Sequence, residues 1–399
     1  MTPEPGGRSR LAVVSALGVV EILSWGSSFY LPAILAGPVA DSTGWPLAGI
    51  VGGLTLGLLV AAFASPHVGA AIQRHGGRPV LALAACLLAA GLVTLALAPV
   101  LPVYLAGWLL LGLGMACGLY DPAFATLARL YGAAARPAIT TLTLWGGFAS
   151  TVCWPLSAFL VAQTGWRGAC LAYAALHLLV TLPLALLFVP PAPALATTTD
   201  AHRADGPLSA RERRVFLLFA GVLVLGGAIM SLVSVHLIAL LQTRGVALAS
   251  AVSYGALIGP AQVGARIVEM ALKGRHHPLW TLTAAFGLVA LGLALLAGGV
   301  PGPGLWLVLY GGGNGIYSIA RGTVPLALFG PDRYPLLAGR LARPGLIAQA
   351  LAPPAGAFVL TQAGAGPLWG LLLACALVNL GLIGALWRTR SPSTAPLGA

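Results

Sequence analysis

Twelve long apolar stretches, separated by short polar turns, make up almost all of this 399-residue chain. They cover residues 11–35, 45–72, 80–98, 103–130, 139–161, 168–189, 215–241, 247–272, 279–298, 305–329, 336–360 and 368–387. A helix crosses the hydrocarbon core of a bilayer with about 20 apolar residues, and each stretch has roughly that length. The pattern predicts an all-α integral membrane protein with twelve transmembrane helices. Short turns place consecutive helices antiparallel and adjacent. One polar segment, 190–214, is longer than the turns. It is rich in Pro, Ala and Thr and holds Asp200, Asp205 and Glu212. It cannot bury enough apolar surface to fold by itself. It divides the helices six and six, predicting an N-terminal bundle over 1–189, a linker over 190–214 and a C-terminal bundle over 215–399.

Composition narrows the class further. The chain is 58% hydrophobic and 8% charged, whereas a soluble domain carries about 25% charged residues. A net charge of +12 raises the question of nucleic acid. The basic residues fall in alternate turns rather than on one patch. That argues for topology signals and contacts with membrane lipid, and against nucleic acid. Arg8, Arg10, Arg74, Arg78, Arg129, Arg136, Arg203, Arg211, Arg213 and Arg214 fall on one side if the helices alternate. So do Lys273, Arg275, Arg333, Arg340, Arg343, Arg388 and Arg390. The other side holds Arg167, Arg244 and Asp41. Excess Lys and Arg mark the cytoplasmic side, so both termini are expected there. The start at Arg8 and Arg10 resembles a signal peptide, but the run after it is too long and has no evident cleavage site. It is read as a retained first helix. Cys86, Cys117, Cys153, Cys170 and Cys375 lack metal or redox spacing and are read as packing residues.

The turn after the second stretch carries Gly69, Arg74, Gly76 and Arg78 in the spacing G-x-x-x-x-R-x-G-x-R. This resembles the loop signature of the major facilitator superfamily between its second and third helices. Gln73 stands where the family usually has an acid, and Gly77 where it usually has another base. The competing reading is a solvated basic turn that only fixes topology. Gly44-Trp45 and Gly165-Trp166-Arg167 resemble further family turns. Gly330-Pro331-Asp332-Arg333-Tyr334, with Gly339, Pro353, Pro354 and Gly356, is similar to monocarboxylate-porter-like and oxalate-formate-antiporter-like members. The resemblance implies two six-helix bundles that rock about a central site. It also implies a monomer in the inner (cytoplasmic) membrane, with no cofactor and no enzymatic activity. Trp108 and Trp154-Pro155 depart from the patterns of proton antiporters and drug antiporters of the family.

An unpaired charge in hydrocarbon is costly, so a charge within a span faces a cavity or a partner. Five remain once the turns are removed. Glu21 lies mid-span with Trp25 one turn on, on the same face. It either exchanges a proton or is a hydrogen-bonded acid between helices. Arg266 matches the Arg of the porters' Asp-x-x-x-Arg pair in the eighth helix, with Gln262 at the Asp position. Its spacing to Glu269 predicts a pair along the helix. Arg266 then either binds a carboxylate or completes a structural ion pair. Asn314, Tyr317 and Arg321 step by three and four on a Gly-rich helix, and so share a face. Arg321 either faces substrate or bonds Asp121 or backbone carbonyls. Asp121 adjoins Pro122 and is either a gate residue or a packing group. The expected substrate residues are Arg321, Arg266, Asn314, Tyr317 and Trp25. Those expected to couple protons are Glu21, Glu269 and Asp121. The loop Gly69, Arg74, Gly76 and Arg78 is the expected gate. His177, His236, Gln349 and Asn379 are read as helix-to-helix glue.

The chain has no G-x-x-x-x-G-K-[ST] loop, so no ATP-driven step is expected. No catalytic or metal-ligand cluster points to an enzyme, and the linker is too short for a sensor module. The expectation is secondary transport of a small organic anion bearing a carboxylate, coupled to protons. The alternative is a proton-coupled exporter of drug-like or amphiphilic compounds.

Overall fold

The computed structural model describes residues 9–191, 206–272 and 274–389, and these contain no strand. Most of the expected linker (192–205), together with Arg8, Lys273 and Arg390, lies outside the described residues. The helices follow the apolar stretches, with breaks that composition alone conceals. The first span is two helices, Arg10–Gly26 and Pro32–Thr43, so it runs well past residue 35. The second, Leu47–His75, and third, Gly77–Leu97, meet at Gly76. There φ is +79°, a conformation that favours a residue without Cβ. The fourth span is Leu101–Gly118 and Tyr120–Tyr131, interrupted at Leu119. Pro122 contributes no N–H to the helix after the break. The fifth is Ala135–Gly147 and the first part of Ala149–Leu176. That run turns at Gly165, where φ is +69°, into the sixth span. The sixth ends through a π turn, His177–Thr181, and Leu182–Phe188.

In the other half, the seventh helix, Ala210–Gln242, begins inside the segment expected as linker. A capping box starts it there: Ser209 and Glu212 satisfy each other's backbone N–H. The rest are Leu248–Ala256 with Ile258–Ala271, then Pro278–Ala297, Pro303–Phe329, Tyr334–Ala363 and Ala365–Arg388. Two bundles of six spanning helices result.

Each half has its own core. Phe219, Phe286, Tyr310 and Trp369 anchor the C-terminal one, and Leu92, Trp108, Trp166 and Tyr173 the N-terminal one. A further cluster joins the halves: Val13, Leu17, Ile72 and Phe124 pack with Leu326, Tyr334 and Ala338. It lies toward the face that carries both ends of the described chain, where Arg211 Nη2 donates to Thr389 O at 2.6 Å. Near it Gly69 meets Gly339 so closely that a Cβ on Gly69 would sit 3.1 Å from the Gly339 Cα. Gln73 Nε2 donates to Asp332 O at 2.9 Å across the same seam. The halves are thus closed against each other on the termini face. On the opposite face, Arg167 Nη2 donates to Ala98 O (2.9 Å) and Arg244 Nη2 to Ala297 O (2.6 Å). Both arginines cap the carbonyl ends of neighbouring helices.

Candidate transport site

Depth along the helices sorts the charged residues. At 1.5 Å per residue, Asp121 lies about 15 Å from the Tyr131 end of its helix. Arg321 lies about 12 Å from the Phe329 end, and Glu21 about 16 Å from Arg10. Those depths are near the middle of a hydrocarbon core about 30 Å thick. Glu269 lies only about 3 Å from the end of its helix at Ala271.

At mid-depth the two halves face a cavity. Its walls include Trp25, Phe29, Leu58, Met115 and Tyr120 from the first half, and Leu346 and Gln349 from the second. Its polar pole is an ion pair between the halves. Arg321 Nη2 donates to Asp121 Oδ2 at 2.5 Å, and Nε donates to Oδ1 at 3.1 Å. The fork matches the carboxylate bidentately. The break at Leu119 makes this possible by placing Asp121 in the first turn of a new helix, aimed at the cavity. Both side chains keep some exposure, 15% for Arg321 and 21% for Asp121.

Trp25 and Glu21 form a second pair. Trp25 Nε1 donates to Glu21 Oε2 at 2.9 Å. The indole packs on Phe29, Tyr30 and Tyr120 with centroids 5.2–6.0 Å apart. Glu21 is fully buried, and its Oε1 has no hydrogen-bond partner.

Other expected residues sit elsewhere. Arg266 does not pair with Glu269. Its Nη1 donates to Thr143 O (2.7 Å) and its Nε to Gly315 O (3.1 Å), bridging the halves through backbone carbonyls. Glu269 instead accepts from Thr281 Oγ1 at 2.7 Å, near His276 and Arg136. Side-chain pairing within a helix is worth about 0.2–0.5 kcal/mol, less than these charge-assisted bonds at about 1.5–3 kcal/mol. Tyr317 turns off the shared face and packs edge-on against Phe286 at 5.0 Å, beside Gly226. Asn314, Ser318 and Arg321 make up the half-exposed face in its place. In the expected gate, Gly69 and Gly76 shape the crossing and the turn. Arg74 and Arg78 make no hydrogen bond or ion pair among the described residues, and Gln73 makes the link across the halves.

The sequence profile of the Major Facilitator Superfamily matches residues 17–339. The chain belongs to that superfamily. Human monocarboxylate transporter 11 is 31% identical over 313 residues, which is 73% of this chain. The chain spans 64% of that relative's length. E. coli FucP, solved in the outward conformation, superposes with a TM-score of 0.76 at 17% identity, covering 97% of this chain and 100% of that one. The human organic anion transporter MFSD10 superposes with a TM-score of 0.73 at 20% identity, covering 94% and 100%. The superfamily and these relatives are membrane transporters, not enzymes.

In this superfamily member the cavity also recruits residues that the spacing of charges does not reveal. Gln349 lines it with an amide that has no hydrogen bond among the described residues. Its signal was only that of a polar residue within a span. Phe29 and Tyr120 flank Trp25, and their aromatic character is common to packing residues everywhere in the chain.

Proposed function

We propose that the protein is a secondary active transporter that moves a small carboxylate-bearing solute together with protons, by alternating access of two bundles, 1–189 and 215–399. It works in the cytoplasmic membrane with both termini in the cytoplasm, as the basic turns on the termini face suggest. The observation that carries the reading is the Asp121–Arg321 fork at mid-depth between the halves. A solute carboxylate matches the guanidinium as Asp121 does, and competes for it. Asp121, displaced, would be an unpaired charge among apolar walls unless it took a proton. Solute binding and proton uptake are linked by that exchange. It also unties one of the bonds between the halves. Glu21, buried without a cation beside it, is the second proton-handling carboxyl. The name of the human relative, a monocarboxylate transporter, accords with this substrate class.

The test is counterflow and gradient-driven uptake in proteoliposomes with labelled acetate, lactate and benzoate. Arg321→Ala should abolish binding, and Arg321→Lys, which keeps charge but loses the fork, should weaken it. Glu21→Gln should still exchange solute yet fail to accumulate it on a pH gradient. Normal binding by Arg321→Ala would remove the carboxylate role and leave Arg266 as the anion ligand. Uptake of amphiphilic cations instead of the three acids would favour the exporter reading.

A further inference from the structure

Glu21 and the cavity do not touch directly. Glu21 has no exposure, while Trp25 lines the cavity and supplies the carboxyl's hydrogen bond. Glu21 Oε1 is left without a partner. The indole is therefore the wall between a buried carboxyl and the space a solute would occupy. Facing Glu21 from the packed helices are Asp121 and Tyr120 of the fourth span. Cys153 of the fifth span stands alongside, its thiol donating to Ile22 O at 3.4 Å. Arg266 reaches Tyr120 but forms no ion pair with Glu21.

The end of the helix that holds Trp25 is built to shift. It stops at Gly26, and the chain leaves helical bonding before resuming at Pro32. The break is held by Ser27 Oγ, 2.7 Å from His177 Nε2 at the π turn of the sixth span, by Ser28 Oγ donating to Ser24 O at 2.5 Å, and by Tyr30 N–H donating to Trp25 O at 3.0 Å. π turns interrupt helices frequently at functional sites. A body resting against the Trp25 ring thus pushes on the last turn before a break.

The geometry points to Trp25 as the positioning residue that couples cavity occupancy to Glu21. In the empty cavity the indole N–H holds Oε2 and the ring shields the carboxyl. A solute with an apolar body, seated by its carboxylate on Arg321, presses the ring aside and opens Glu21 to cavity water. Proton exchange between that water and the carboxyl then becomes possible, and Trp25 itself neither gains nor loses one. The idea rests on the transport reading above and adds the element that makes proton transfer depend on solute.

Two measurements test it. In the first, full-length protein in detergent is treated with dicyclohexylcarbodiimide, which couples to buried protonated carboxyls. The Glu21 adduct is followed by peptide mass spectrometry, with Glu21→Gln fixing the assignment. Trp25→Ala should label about tenfold faster than the wild type, and Trp25→Phe, which keeps the ring, within about twofold of it. Equal rates for the wild type and Trp25→Ala overturn the shield. In the second, Trp25→Phe in proteoliposomes is assayed for both counterflow and accumulation of the best-transported acid of the panel. Accumulation on a pH gradient should fall about fivefold relative to counterflow, the ratio set by one hydrogen bond of ordinary strength. Unchanged accumulation overturns the role of the bond. Accumulation retained by Glu21→Gln would instead remove the proton reading beneath it.

Discussion

Glu212 accepts three bonds at the start of the seventh helix: Ser209 N–H (2.8 Å), Ser209 Oγ (2.8 Å) and Arg333 Nη1 (3.0 Å). The backbone N–H of Ser209 is the main cause that holds its carboxyl below the usual 4.5, with the Ser209 hydroxyl and Arg333 adding to it. A carboxyl whose folded pKa is depressed stabilises the fold above its unfolded pKa and loses that contribution as pH falls through the folded one. Amide exchange in the first turn, Ala210–Arg213, should therefore speed up, relative to intrinsic rates, as pH drops below about 4.5. In Glu212→Gln the turn should exchange faster at neutral pH and show no such acid step; an acid step surviving in that variant would refute the assignment. Sequence reading placed both residues in the linker, although their i, i+3 spacing carries the signature of this capping box, whose bonds are local. The Asp121–Arg321 fork joins residues 200 positions apart. Sequence supplied both charges and left the bond between them as one of three readings, because no periodicity relates helices in different halves. Where spacing did suggest a partner, for Arg266 and Glu269, the suggestion failed. Thr143 O, Gly315 O and Thr281 offered stronger partners than the neighbour on the helix.

At the scale of elements, the second and eleventh helices, Leu47–His75 and Tyr334–Ala363, cross at Gly69 and Gly339 with backbone nearly touching. A side chain at either glycine has backbone in its way and cannot be absorbed by a rotamer change. Overpacking of this kind costs about 1–3 kcal/mol. In the alternating access proposed above the crossing exists only while the termini face is shut, so that cost falls on one conformation. Gly69→Val should shift the balance toward opening at that face by about 5- to 150-fold. Cysteines placed at Gln73 and Asp332, whose residues meet at 2.9 Å, report it by disulfide yield. Undiminished crosslinking in Gly69→Val would show that the glycines do not set the balance. The apolar lengths made the twelve spans readable, since bilayer thickness dictates them. The breaks at Ser27 to Leu31 and at Leu119 were not, because each falls inside an apolar stretch, and Pro122 was the trace of the second. The turn at Gly165 was readable, since it lies between the fifth and sixth stretches among polar residues.

For the whole molecule, alternating access requires every bond across the termini face to be lost together. Arg136, at the start of the fifth span, donates through Nη1 to His276 O (2.5 Å) and Gly274 O (3.0 Å) of the turn after the eighth. Its Nη2 lies 3.8 Å from Glu269 Oε1. These contacts differ in strength. The ion pair is long and 19% exposed on the Arg136 side, so it contributes about 0.2–1 kcal/mol. Charge-assisted bonds to carbonyls contribute about 1.5–3 kcal/mol each. A variant can move the balance between conformations only by what it contributes to one and not the other. Across the seam Glu269→Gln removes only the charge pair, so the ratio of open to closed forms should rise by about 1.4- to 5-fold. Arg136→Ala removes the pair and both carbonyl bonds, and the same ratio should rise by at least about tenfold. Spin labels at Arg74 and Arg340, exposed on either side of the seam, would read the two populations as short and long distances. Equal distributions in Arg136→Ala and the wild type would mean that the contacts left in that variant, the apolar cluster of Val13, Leu17, Leu326 and Tyr334 and the Gln73–Asp332 bond among them, hold the face shut. A larger shift in Glu269→Gln than in Arg136→Ala would place the lock at the carboxylate, and the order of the two variants decides between them.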